Sequence, residues 1–276
     1  MAVQGRYEAR PFGPDRAAGA VAQLVLLEVL CRAVGLGPAG WLTGFAFAVA
    51  TWAALTRALH KSWLRSFGPA NRVTLARATL VGGVTALVAD SFGRHAPVTV
   101  LVGLAAVALV LDAVDGRVAR RTGTASALGA RFDMEVDAFL ILVLCVYVAV
   151  PLGPWVLAIG ALRYLFVAAS WALPWLRAPL PHSMARKAVA AVQGVVLVAA
   201  GAGIAPRALE RGAVAGALAL LVWSFGRDVA WLWRTRGRTA GAESAARAAD
   251  GGSVGRAADG GSVGRKSGGR SVTGAG

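Results

Sequence analysis

The chain has 276 residues, of which 57% are hydrophobic before its 35 glycines are counted, and only 16% are charged. With glycine, roughly two-thirds is apolar against about 45–50% in soluble domains, and the mean hydropathy is +0.60, which excludes a disordered chain and a water-soluble globule and marks an integral membrane protein. The formal net charge of +15 would suit a nucleic-acid binder, but the basic residues lie between long apolar runs, so the expected counter-charge is an anionic membrane surface and no nucleic-acid partner is expected.

Residues 1–16 are polar, and the first apolar run is long and poorly followed by a cleavage site, so no cleavable signal peptide is expected. A bilayer crossing takes about 20 apolar helical residues. Eight such segments are predicted, at roughly 17–36, 39–58, 72–90, 96–115, 132–152, 154–176, 187–204 and 209–232. Gly35-Leu36-Gly37-Pro38, Phe67-Gly68-Pro69, Gly153-Pro154, Pro179-Leu180-Pro181 and Pro206 supply turn chemistry between them. Glu28 and Arg32 interrupt the first segment at i,i+4 spacing, which pairs them on one face; lying along the interface is its alternative.

Lys and Arg gather in alternate connections: Arg57, Lys61, Arg65 and Arg72; then Arg117, Arg120, Arg121 and Arg131; then Arg177, Arg186 and Lys187. By the positive-inside bias these connections and both termini are cytoplasmic. The nine tryptophans fall mostly near span ends, as interfacial anchors do. Cys31 and Cys145 sit inside apolar stretches and read as small buried hydrophobes, and His60, His95 and His182 share no ligand spacing. From about residue 236 the chain becomes rich in Gly, Ala, Ser and Arg, with the nonapeptide Arg-Ala-Ala-Asp-Gly-Gly-Ser-Val-Gly at 247–255 and again at 256–264. Such a composition predicts a disordered basic tail over 236–276.

Carboxylates are scarce within the apolar region, and five of them fall close together: Asp112, Asp115, Asp133, Glu135 and Asp137. A carboxylate at membrane level is costly unless paired, so it marks a functional position. Asp112, Asp115, Gly116, Ala119 and Arg120 run i, i+3, i+4, i+7, i+8 along one helical stripe, and Gly129, Asp133 and Asp137 run i, i+4, i+8 along another. Facing each other, the stripes would place four carboxylates around a small volume, with Glu135 pointing elsewhere. Carboxylates stay ionised together when cations sit among them, and an oxygen-only ligand set suits Mg2+ or Mn2+, with two ions able to clamp a transferring phosphoryl group. The small residues let a ligand approach the backbone, and Arg120 offers a phosphate partner.

These residues resemble the signature of the CDP-alcohol phosphatidyltransferases, D-x2-D-G-x2-A-R-x8-G-x3-D-x3-D, in its class I, bacterial, integral-membrane form. Asp112, Asp115, Gly116, Ala119, Arg120, Gly129, Asp133 and Asp137 occupy every fixed position, and both gaps match. The resemblance covers about 68–235 and takes in Asn71-x2-Thr74-x2-Arg77 upstream, with Arg163 and Ser183-x2-Arg186-Lys187 downstream. Arg186 stands where some bacterial members have glycine, and Tyr164 where a glutamate often follows the arginine, both on the acceptor side.

The resemblance implies an all-α polytopic membrane protein: 1–66 as an N-terminal stretch with two extra hydrophobic helices, 67–235 as a six-helix core, and 236–276 as the tail. It implies metal-dependent transfer of a phosphatidyl group from CDP-diacylglycerol to an alcohol, with release of CMP, in phospholipid biosynthesis. Asp112, Asp115, Asp133 and Asp137 are then the ligands of two metal ions, and Asp137 is also the general base. Thr74, Gly116, Ala119, Arg120 and Gly129 bind the cytidine diphosphate, while Arg163, Arg186 and Lys187 bind a phosphate on the acceptor. Glycerol 3-phosphate, inositol phosphate, serine and phosphatidylglycerol all fit as acceptors. The resemblance also implies a homodimer, with its active site on the cytoplasmic side of the inner membrane. Two other readings compete: a soluble CDP-alcohol donating to diacylglycerol, and a cation transporter, which explains the carboxylates but not the Gly, Ala and Arg at fixed gaps.

Overall fold

The computed structural model describes residues 13–61, 69–94, 97–122, 127–178 and 184–259; within the helices, side chains at 13–17, 55, 58–61, 69–72, 115–122, 127–131, 184 and 237–259 lie outside the described residues. The described residues form eight α-helices and no strand: α1 (Gly13–Val34), α2 (Pro38–Lys61), α3 (Pro69–Asp90), α4 (Val98–Thr122), α5 (Ala127–Leu152), α6 (Leu157–Ala172), α7 (Met184–Ala202) and α8 (Arg207–Asp259). Short 3-10 turns, Pro154–Val156 and Pro174–Arg177, flank α6. Each helix overlaps one of the eight apolar segments, and the breaks at Gly35–Gly37, Gly153 and Pro206 fall on the glycine and proline punctuation noted above. Gly153 holds φ at 113°, a conformation an L side chain rarely adopts, and so turns the chain between α5 and α6.

Among the described residues, five helical stretches are long and apolar enough to cross a membrane: Val73–Asp90, Phe132–Leu152, Pro154–Ala172, Ala185–Ala202 and Arg207–Arg236. The chain is thus an all-α polytopic membrane protein. Among the described residues, α4 adds the shorter apolar stretch Val98–Val114. In α1, Arg32 Nε donates to Glu28 Oε1 at 2.7 Å on an exposed face, the i,i+4 pairing expected from the sequence.

Helix α3 is the hub, packing against α1, α2, α4 and α5, while α5 carries the chain on to α6 and α7, and α7 pairs with α8. Lipid tails are as apolar as leucine, so these helices associate by close packing more than by hydrophobic burial. Val81, Val84 and Leu87 of α3 meet Leu101 of α4 and Leu140, Leu144 and Val148 of α5 in one buried cluster. Phe47 of α2 packs on Phe139 of α5 with ring centroids 5.2 Å apart. Gly160 lets α6 approach α5 closely, because a Cβ there would lie 2.8 Å from the Cα of Leu142.

The N-terminal pair is tied to the rest at one end. Asp90, buried at the end of α3, accepts from the Gly37 amide at 3.1 Å, and Arg94 donates to the Gly35 carbonyl at 2.8 Å. At the other end of the chain, α8 continues as one helix to Asp259, past residue 236, where the composition predicts a disordered tail. Its run from Thr239 to Asp250 is alanine-rich, and alanine is the strongest helix former. Residues 260–276 lie outside the described residues.

Candidate active site

The site is built on α3, α4 and α5. Val73 to Asp90 of α3 carries only two charged residues, Asp90 at its end and Arg77. An arginine at such a position needs carboxylate partners, and the fold supplies three. Arg77 is wholly buried (0% exposed). Its Nη1 donates to Asp112 Oδ1 of α4 at 2.6 Å. Its Nη2 donates to the side chain of Asp133 and, at 3.3 Å, to the Asp133 carbonyl, and lies 3.1 Å from Asp137 Oδ1. One turn before Arg77, Thr74 Oγ1 donates to Asp133 Oδ1 at 3.5 Å.

The i,i+4 spacing puts Asp133 and Asp137 on one face of α5, and α4 brings Asp112 up to them. One carboxylate oxygen from each of the three lies within 4.8 Å of the others. Unlike Arg77, these side chains keep 42%, 32% and 37% of their surface exposed for Asp112, Asp133 and Asp137. Three formal negative charges thus converge on one guanidinium. Like charges at this range repel strongly, and the excess is relieved by a further cation. The donor set is oxygen-only, with neither thiol nor imidazole among the three, which fits a hard divalent ion and not zinc.

The remaining expected residues are placed as follows. Asp115, Gly116, Ala119 and Arg120 lie on α4, and Gly129 lies near the start of α5, but their side chains are outside the described residues. The expected fourth carboxylate, Asp115, is therefore not part of the cluster just described. Arg163 of α6 donates from Nη2 to Glu135 Oε1 at 2.7 Å, so Glu135, which the stripes left out, is one half of an ion pair. Arg186 of α7 pairs with Asp228 of α8 at 3.3 Å, and Lys187 is exposed. The three basic residues expected to share an acceptor phosphate thus stand on two helices, two of them in ion pairs with carboxylates.

Arg77 is the residue that sequence reasoning left without a role. Its signal was present: the one basic residue within the apolar stretch Val73–Asp90, one helical turn from Thr74. What the pattern of one helix does not give is the face of α3 that meets α4 and α5.

A family model for CDP-alcohol phosphatidyltransferase matches residues 68–224, more than half of the chain. That segment begins just before α3 and contains Arg77 and the three aspartates. Comparison with curated proteins and with solved structures gives no significant match.

Proposed function

The chain belongs to the CDP-alcohol phosphatidyltransferase family, and from that premise we propose that it transfers a phosphatidyl group from CDP-diacylglycerol to an alcohol, releasing CMP, in phospholipid biosynthesis. The observation that carries this reading is the convergence of Asp112, Asp133 and Asp137 on one side of a buried arginine, at the fixed spacings of the signature. Partly exposed carboxylates at the end of apolar helices suit a reaction with one water-soluble and one lipid partner. Basic residues concentrated in the connections on that side support a cytoplasmic site and cytoplasmic termini at the inner membrane.

In the proposed step the acceptor oxygen bonds to the phosphorus that carries diacylglycerol. The bond from that phosphorus to the CMP oxygen breaks, and the hydroxyl proton passes to Asp137. Asp112, Asp133 and Asp137 would hold Mg2+ or Mn2+, with Asp115 assigned to the same set on the signature alone. When bound, such ions neutralise phosphate charge and lower the pKa of a hydroxyl. Arg77 keeps the three carboxylates at their spacing, and Thr74 orients Asp133. Arg120, with Gly116, Ala119 and Gly129 leaving room beside it, binds the cytidine diphosphate. Arg163, with Arg186 and Lys187 on the next helix, receives an acceptor phosphate. The active unit is a homodimer.

The test is CMP release from CDP-diacylglycerol by the purified protein in detergent, with Mg2+ or Mn2+ and a panel of acceptor alcohols. One acceptor should support turnover, and Asp137→Asn should reduce it by about 10²–10⁴-fold, the range for loss of a general base. Turnover only with a soluble CDP-alcohol and diacylglycerol would reverse the donor assignment, since the signature is shared by both chemistries.

A further inference from the structure

The apolar spans of α6 and α8 end side by side, in a corner apart from the carboxylates of α4 and α5. The Pro174–Arg177 turn that follows α6 packs there against α8. Trp175 of the turn meets Trp233 of α8 edge to face, with ring centroids 5.5 Å apart and planes at 81°. The Arg236 guanidinium lies over the Trp233 ring, 3.2 Å from its centroid. Arg177 donates from Nε to the Ser170 carbonyl at 2.8 Å and from Nη2 to the Trp171 carbonyl at 3.5 Å, which caps the end of α6. Trp233 and Arg236 lie beyond residue 224, where the family match ends.

The lengths of the two spans set the depth of this corner. Pro154–Ala172 is 19 residues, about 28 Å of helix, close to the thickness of a hydrocarbon core, so the turn after it emerges at the headgroup layer. Arg207–Arg236 is 30 residues, about 45 Å, which reaches from one headgroup layer to the other. Arg177, Trp233, Arg234 and Arg236 are exposed at that level. The chain has no Asp or Glu between Asp137 and Glu210, nor between Asp228 and Glu243, so neither element brings a carboxylate of its own to the corner. Asp228, about two turns before Arg236, is engaged by Arg186 and Arg227. Three arginines and two indoles thus share one end of the molecule, where the surrounding phase supplies phosphates above and acyl chains below.

We propose that this corner binds the headgroup of an anionic glycerophospholipid. Arg236 takes the phosphate, Arg177 and Arg234 add to the positive field, and the glycerol-ester region rests on the Trp175–Trp233 pair. Stacking on Trp233 holds the Arg236 guanidinium in place before the lipid arrives, so less side-chain freedom is lost on binding. A zwitterionic headgroup carries its own cation into the same field, which selects lipids of net negative charge. The indole pair favours a lipid over a soluble phosphate, because only the lipid presents the apolar boundary on which amphipathic rings settle. The site does not depend on which donor or acceptor the carboxylates use.

The experiment titrates the full chain in detergent with phosphatidylglycerol or phosphatidylcholine and counts bound lipids per chain by native mass spectrometry. The first phosphatidylglycerol should bind at least about fivefold more tightly than phosphatidylcholine, the scale of one basic residue at an anionic surface. Arg236→Gln should weaken phosphatidylglycerol about fivefold and leave phosphatidylcholine unchanged. Trp233→Leu, which removes the platform and keeps every charge, should weaken phosphatidylglycerol severalfold. Both side chains are exposed, so neither substitution disturbs a packed core. Arg211→Gln, at an exposed position near the start of α8, removes the same net charge and should leave both affinities as they are. Equal affinity for the two lipids, or equal losses in Arg211→Gln and Arg236→Gln, would overturn the proposal and leave only the general attraction of a basic chain. Displacement of the lipid by millimolar glycerol 3-phosphate would overturn it too, by making the corner a site for a soluble phosphate.

Discussion

The guanidinium of Arg77, wholly buried on α3, donates to Asp112 of α4 across 2.6 Å and bridges the same helix to Asp133 and Asp137 of α5. One side chain thereby fixes the relative positions of three helices at the depth where the carboxylates converge. Removing it leaves three carboxylates facing one another without their guanidinium. Breaking a buried ion pair costs about 3–5 kcal/mol, and the partial exposure of these aspartates puts the expectation at the lower end. Arg77→Met should therefore lower the melting temperature in EDTA by on the order of 5–10 °C. Millimolar Mn2+ should restore more stability to the variant than it adds to the wild type, read by thermal unfolding in detergent. A variant equally stable with and without metal would contradict this account of Arg77.

The aspartates should behave in the opposite sense. In EDTA, Asp112→Asn or Asp133→Asn removes one of three like charges, so stability should change by less than about 1 kcal/mol or rise. The same variants should bind Mn2+ at least about tenfold more weakly, because a charged ligand has become a neutral one. For the wild type, Mn2+ at about 100 times its dissociation constant should add about 2.7 kcal/mol by mass action. Calorimetric titration of Mn2+ followed by thermal unfolding measures both quantities on one sample. Loss of stability without loss of metal affinity would show the aspartates to be structural partners of Arg77 only.

The contrast between these residues shows what a sequence makes legible. Asp133 and Asp137 share a face because they share a helix, and a period of 3.6 is readable from one chain segment. Asp112 lies 21 residues before Asp133, a short-range relation that the signature spacing encodes. Arg77 lies 35 residues before Asp112, and its contact depends on how α3 rotates against two other helices, which no local period reports. The same holds for Arg163 and Glu135, which are 28 residues apart on neighbouring helices, and for Arg186 and Asp228, which are 42 apart. Helix positions were readable from apolar length and from glycine and proline. Continuation of α8 to Asp259 was missed because low hydropathy suggested disorder while alanine favoured the helix.

The contact between Asp90 and Gly37, 53 residues apart, joins the N-terminal helices to the matched core. Asp90→Ala would leave the buried Gly37 amide without an acceptor, at a cost of about 1–3 kcal/mol. Asp90→Asn keeps an acceptor oxygen and should recover most of that loss. Both variants should retain CMP release per folded molecule, since Asp90 ends α3 at the opposite end from Thr74 and Arg77. Thermal unfolding and the release assay on the same preparations separate a tether from a catalytic role. Equal stability of the alanine variant would show that the hydrogen bond does not hold the hairpin in place.

The ion pair between Arg163 and Glu135 offers the most direct probe of the acceptor. Arg163 is 27% exposed and Glu135 59%, and pairs this open contribute only about 0–1 kcal/mol to stability. Glu135→Gln should therefore leave the fold intact while releasing the guanidinium from its carboxylate. With a phosphorylated acceptor, that release should lower KM several-fold at unchanged kcat, because the arginine no longer exchanges one anion for another. Arg163→Ala should raise KM for the same acceptor by about tenfold or more, on the scale of one charge-assisted hydrogen bond. With an acceptor that carries no phosphate, neither variant should shift KM. Steady-state kinetics across the acceptor panel thus tests the phosphate role of Arg163, and matching effects on both acceptor classes would assign the pair to helix packing.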